Sequence, residues 1–340
     1  MDEMPDDDWP SPLTEPLPEP PVEPIRPLVE EARWSSAPMA EQLLHDSQAF
    51  YADWSALHAS PPYAIYHYTD AAGLTDILES GLLRASDLLY LNGSREMRYT
   101  YRLIREQLRT RWSAADPVLG EFCVQAETAL DPRNWDRNLF LACFCEDGDA
   151  LTQWRAHSRE GGYALGLRTI ALDSVGVRNH RAALRRVIYS VDRQKALIER
   201  MLDRATNVAR QVAVQPAAEQ DAASVTLFEF LADHALELAA CFKAPAFQQE
   251  AEWRLAVALD TSFAGEGTWQ VKFNVEAGHP VAYVELDISP KAGSSKSPVA
   301  EVVCGTLDRG TLAARSIGLL LKSRGNASAR VRSSTLSPSD

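Results

Sequence analysis

Leu43, Phe50, Trp54 and Leu57, with Ser47 among them, recur at helical spacing and predict an amphipathic helix over residues 39–58. Pro61 and Pro62 end it, and the β-forming run from Tyr63 to Tyr68 predicts a strand. Leu74, Ile77 and Leu78 then mark a short helix that Gly81 is placed to stop. After the turn Asn92-Gly93, the residues Met97, Tyr101, Ile104, Leu108 and Trp112 form the apolar face of a helix over 94–112. Further strands are predicted at 139–145, 163–168, 185–190, 252–259, 269–275, 281–287, 299–304 and 328–333, with helices at 192–212, 224–241 and 308–323. Residues 261–280 and 289–298, rich in Gly, Ser and Pro, read as surface loops. Strands and helices are segregated and not alternating, which predicts an α+β fold over a doubly wound parallel sheet. With no decisive break, one domain over 39–335 is expected, carrying a helical insert near 192–241.

Composition changes this picture only at the N-terminus. The chain of 340 residues is 46% hydrophobic and 24% charged, ordinary for a protein that buries a sizeable core. No apolar run approaches the ~20 residues that span a bilayer, so no membrane insertion is expected. The opening MDEMPDDDW is acidic where a signal peptide is basic, and the five cysteines contain no CxxC pair, so a reducing cytoplasm is expected. The net charge of −13 is concentrated: residues 1–31 carry ten acids against Arg26 alone, and nine of the 20 prolines precede residue 28. Residues 1–38 therefore read as a disordered acidic, Pro-rich tail, either a solubilising leader or a docking segment for a partner.

No phosphate loop, dinucleotide GxGxxG, HExxH or GxSxG elbow occurs, and the seven histidines lack metal-ligand spacing, so no metal is expected. Four polar groupings remain. In the strand Tyr66-His67-Tyr68-Thr69, His67 and Thr69 share one face, an imidazole and a hydroxyl able to hold a sugar or simply a half-buried histidine before a helix cap. Gln153-Trp154-Arg155 precedes the Gly161-Gly162-Tyr163 entry to a strand; Trp154 and Arg155 could clamp a flat ligand or pack in a core. In Glu250-Ala251-Glu252-Trp253-Arg254, an extended backbone places Glu250, Glu252 and Arg254 on one face. One glutamate beside another acid could have the raised pKa of a general base, or Arg254 could neutralise it on an exposed edge. Arg98, Arg102, Arg105 and Arg109 form a basic stripe beside the apolar face of the 94–112 helix, suited to phosphates or to plain solvation.

Taken in order, YHYT, LNGSRE, FCEDGDALTQWRAHSREGGYALGL, FQQEAEWRL and VVCGTLDRGTL resemble the bacterial family known as domain of unknown function 2971, over about residues 63–335. Two departures show: Asn92-Gly93-Ser94 stands where the family tends to have Asn-Asp-Pro, although Glu96 fits its following acid, and His157 stands where it has a Tyr. That resemblance names no activity. A more distant one does, since His-x-Thr on a first strand, an aromatic on a middle strand and a Glu on a late strand are similar to the ADP-ribosyltransferase arrangement of diphtheria-toxin-like and poly-ADP-ribose-polymerase-like enzymes. It implies a mixed or antiparallel split sheet with flanking helices. His67 and Thr69 would hold NAD, Tyr163 or Trp154 would stack on nicotinamide with Arg155 nearby, and Glu252 or Glu250 would be the catalytic acid. The carboxylate would stabilise oxocarbenium character as the nicotinamide–ribose bond breaks.

The expectation is thus an NAD-consuming ADP-ribosyltransferase or NAD glycohydrolase, a toxin or defence effector with a protein or nucleic-acid acceptor. The alternatives are a non-catalytic ligand-binding or interaction module and a metal-independent enzyme acting on nucleic acid through the Arg stripe. The first requires His67, the stacking aromatic and Glu252 to meet in one cleft.

Overall fold

The computed structural model describes residues 40–55, 60–91, 95–131, 137–157, 162–178, 182–260, 270–276, 278–289, 297–305 and 310–336. The acidic tail, the Asn92-Gly93-Ser94 turn, Gly161, residues 261–269 and residues 290–296 lie outside them, as does the His157 side chain, while the described remainder of the segment read as a loop over 261–280 holds β-structure.

The first part of the chain runs α1 (Ala40–Ser55), β1 (Ala64–Thr69), α2 (Ala71–Ser80), β2 (Leu82–Asp87), α3 (Leu88–Leu91), α4 (Arg95–Arg111) and α5 (Pro117–Ala129). Next come β3 (Arg137–Cys145), α6 (Leu151–His157), β4 (Tyr163–Arg168), α7 (Thr169–Arg178), β5 (Ala182–Arg186), α8 (Val191–Ala213) and α9 (Ala217–Cys241). A 3₁₀ turn at Pro245–Glu250 leads into β6 (Glu252–Asp260), followed by β7 (Lys272–Glu276), β8 (His279–Asp287), β9 (Val299–Cys304), α10 (Gly310–Ser323) and β10 (Arg330–Ser333). Local signals set several boundaries. Asp70 caps α2 by accepting from the Gly73 amide, and Gly81 closes it in the left-handed region at φ 70°, the conformation that favours glycine.

The ten strands form one open mixed sheet with helices on both faces. All named pairings are antiparallel except β9 with β10. Strand β3 is the spine. One of its edges pairs with β6 along its whole length; the other is shared, β2 taking Phe140 and Leu141 and β1 taking Cys145. The sheet is therefore split between β1 and β2.

Strand β3 is buried on both faces, which explains its nearly unbroken apolar run LFLACFC. Leu139 and Leu141 pack with Ala256 and Ala258 against a bundle of α1, α4, α5, α8 and α9. Phe140, Ala142 and Phe144 face the opposite way, into a second core with Ile65, Trp253 and Leu255 that residues of α2, α7 and α10 complete. The helical hairpin α8–α9 lies between β5 and β6, which pair with each other antiparallel.

Candidate functional site

The sheet's register decides which predicted residues can meet. Register partners in an antiparallel pair project their side chains to the same face. Thr69 is opposite Tyr163 and His67 opposite Leu165, so His67, Thr69 and Tyr163 share one face on adjacent strands. Tyr66 is opposite Cys145, Cys145 opposite Glu252, and Cys143 opposite Arg254. Glu252 and Arg254 therefore project to the other face, the one that carries the helix bundle. The expected meeting of His67 and Tyr163 with Glu252 does not occur, because Tyr66 and His67 are consecutive strand residues that point to opposite faces and the sheet intervenes.

His67 has a structural task on its own face. Its Nδ1–H donates to the Cys143 carbonyl at 2.9 Å, where β3 passes from β2 to β1 and the ladder is interrupted. Trp154, the alternative stacking aromatic, is buried edge-on to Tyr68 with ring centroids 4.8 Å apart, and its Nε1 donates to Asp149 at 2.8 Å. It is a packing residue of a small core with Cys145 and Val303, while Arg155 is exposed on α6.

Glu252 also departs from the expectation of a raised pKa and of an exposed edge. Strand β6 is central, between β3 and β5, and Glu252 is only 6% exposed. Its Oε1 accepts from Arg254 Nε at 2.9 Å and its Oε2 from Lys243 Nζ at 2.8 Å and Arg254 Nη2 at 3.0 Å. Burial by itself raises the carboxyl pKa, but Arg254 and Lys243 together outweigh it and hold Glu252 down to about 2. A buried carboxylate held by two cations in this way is poorly matched to proton transfer near neutrality.

These contacts belong to a larger network that brings together residues far apart in sequence. Glu96, near the start of α4, accepts from Arg254 Nη2 at 2.7 Å and lies 3.4 Å from Lys243 Nζ. Glu250, the last residue of the 3₁₀ turn, is the third carboxylate on Lys243. Between the two β6-end glutamates, Ala251 is the one described non-glycine with positive φ, at 41°. This left-handed step re-aims the chain so that Glu250 and Glu252 converge on a single ammonium. Burial works against the charge on Lys243, yet Glu252, Glu96 and Glu250 outweigh it and raise its pKa.

Above this network opens a cleft of about 350 Å³, lined by Arg95, Glu96, Arg98, Tyr99, Arg102, Lys243, Ala244 and Phe247. One wall is the first two turns of α4; the other is the segment entering the 3₁₀ turn. Arg102 lies over the Tyr99 ring at 5.4 Å, Lys243 over the Phe247 ring at 5.4 Å, and the Tyr99 hydroxyl donates to Gln194 at 2.8 Å. The distal half of the arginine stripe is engaged elsewhere, Arg105 and Arg109 sharing Glu127, and the neighbouring Arg111 pairs with Asp203. Its proximal members Arg98 and Arg102, with Arg95, turn toward the cleft. The arrangement can hold an anion with an aromatic portion.

Sequence reasoning singled out Arg98, Arg102, Glu250 and Glu252 but missed Lys243, Tyr99 and Phe247. The one available signal was Lys243 itself, a lone cation directly after the apolar run LAACF. Among the described residues, no group of three or more His, Cys, Asp or Glu could hold a metal ion, and no helix is long and apolar enough to cross a membrane.

Fold and site together define a mixed α/β protein with a cationic, aromatic-walled cleft over a buried ion-pair network. Residues 153–255 match the family model described as protein of unknown function (DUF2971). The match runs from the QWR segment on α6 to the EWR segment on β6, a narrower span than the resemblance read over 63–335. No curated protein and no solved structure matches the chain.

Proposed function

We propose that this protein is a ligand-binding module for nucleotides, held in the cleft between α4 and the Pro245–Glu250 turn. The observation that carries this reading is the convergence of Arg95, Arg98, Arg102 and Lys243 with the rings of Tyr99 and Phe247 on one cleft. Cations supply charge-assisted hydrogen bonds to phosphate, and aromatic rings offer faces on which a base can stack. The cleft's volume lies within the ~300–1,000 Å³ usual for small-molecule sites. Counting the network beneath, five bases (Arg95, Arg98, Arg102, Lys243, Arg254) face three acids (Glu96, Glu250, Glu252), a local charge of +2. That balance suits a group carrying about −2, such as a phosphate monoester or the diphosphate of a dinucleotide.

The test is calorimetric titration with AMP, NAD and adenosine. AMP and NAD should bind, adenosine at least ten times more weakly, and Arg98→Ala with Arg102→Ala should weaken AMP without changing the weak adenosine signal. Equal binding of AMP and adenosine, or none by either, would sink the reading.

A second reading, NAD consumption by an ADP-ribosyltransferase-like core, is supported by the shared face of His67, Thr69 and Tyr163. In that reading Glu252 serves the network and not the chemistry, since it projects to the opposite face. Nicotinamide release that His67→Ala abolishes and Glu252→Gln leaves in the surviving folded fraction would favour it over simple binding.

A further inference from the structure

Lys243 is the one lining cation of the cleft that is itself buried, and it is surrounded by carboxylates. Two of these, Glu96 and Glu252, are buried and share Arg254 as a second partner. Glu250 differs from both. Its side chain is 27% exposed, it pairs with Lys243, and it ends a short 3₁₀ turn whose Phe247 is half exposed at the cleft wall. The turn has no side-chain cap at its N-terminus and closes at the left-handed Ala251, so few bonds oppose its loosening.

We propose that Glu250 is a tethered competitor of the ligand: its carboxylate and the incoming phosphate are alternative partners of the Lys243 ammonium, so phosphate binding displaces Glu250 and loosens the Pro245–Glu250 turn. This rests on the nucleotide-binding reading above. The physical reason is that three carboxylates already crowd the Lys243 ammonium, Glu250 and Glu252 as hydrogen-bond acceptors and Glu96 at 3.4 Å, so a phosphate reaching it competes with the most exposed of them. Glu250 is the partner whose release exposes least buried charge, because Glu96 and Glu252 remain held by Arg254. Glu250, with 27% of its side chain exposed, can be rehydrated as it leaves, while Lys243 keeps its two buried carboxylates.

The experiment compares AMP affinity of the wild-type protein, Glu250→Gln and Lys243→Met by calorimetry, with hydrogen–deuterium exchange of residues 245–250 in the wild type. Glu250→Gln should bind AMP about fivefold more tightly, the effect of removing one partly exposed competing carboxylate. Lys243→Met should lose binding, and AMP should speed exchange in the 245–250 turn. Wild-type binding with unchanged affinity in Glu250→Gln, or AMP-induced protection of the turn, would overturn the competitor role alone. Failure of the wild type and Glu250→Gln alike to bind would overturn the nucleotide reading beneath it. Should Glu250→Gln prove unstable, the exchange measurement on the wild type decides.

Discussion

Glu252 and His67 show how far one residue's environment departs from what its neighbours in sequence imply. Glu252 stands beside Arg254 and two residues after Glu250, and spacing alone leaves open whether it is a base, an edge residue or an ion pair. Lys243 and Glu96, 9 and 156 residues away, decide the matter by closing a buried network. Breaking such a network from one side leaves uncompensated charge, so Glu252→Gln should cost about 3–5 kcal/mol in chemical denaturation at pH 7. The same residue sets an acid limit. Its folded pKa of about 2 lies below the ordinary 4.5, so its contribution is full above about pH 4.5 and is lost as pH falls toward 2. Wild-type stability should therefore drop more steeply than that of Glu252→Gln across this window, and parallel slopes would contradict the assignment.

At the scale of elements, most of the helices and strands were legible because their signals are local. Met97, Ile104 and Leu108 of the α4 face, the stop at Gly81 and the two long helices α8 and α9 follow from periodicity and capping residues, whereas Trp112, read into the same face, lies beyond the end of α4 and is exposed. Strand β2, reading LLRASD, and the helices α5, α6 and α7 went unseen. Strand β2 alternates weakly and becomes a strand through pairing with β8 and β3, and α6 and α7 are each too short for a clear period. The strand read at 185–190 is displaced to Ala182–Arg186, where pairing with β6 fixes it.

The approach of the 145–150 turn to β1 was equally invisible in sequence. A Cβ on Gly148 would sit 2.4 Å from the Tyr66 ring, whose hydroxyl donates to Glu301 at 2.6 Å and so cannot swing away cheaply. Gly148→Ala should lower stability by about 1–3 kcal/mol, the cost of overpacking, read as a shift in denaturation midpoint with unchanged slope. A neutral result would mean that the turn is free to move.

Across the whole molecule, Asp149 ties the end of the chain to its middle. It accepts from Trp154 Nε1 and Ser334 Oγ and from both the amide and hydroxyl of Thr335, at distances of 2.5–2.8 Å. Burial raises its pKa, and those hydrogen bonds more than offset the rise and lower it overall. Asp149→Ala should free the Ser334–Leu336 segment, giving faster proteolysis after Ser333 and a stability loss of about 2 kcal/mol. Undiminished protection of that segment would show that β10 alone holds it.

The pattern of apolar and polar positions by itself determined the α+β class, the amphipathic α4 with its basic stripe, the α8–α9 hairpin and the presence of paired carboxylates before an arginine. Those properties depend on neighbours within a turn or a strand. Only the tertiary structure decided that His67 and Glu252 lie on opposite faces, because face is set by strand register and one residue's difference inverts it. It alone also brought Lys243, Glu96 and the 3₁₀ turn together. The free energy of a buried ion-pair network depends on distances among segments that the chain order leaves far apart.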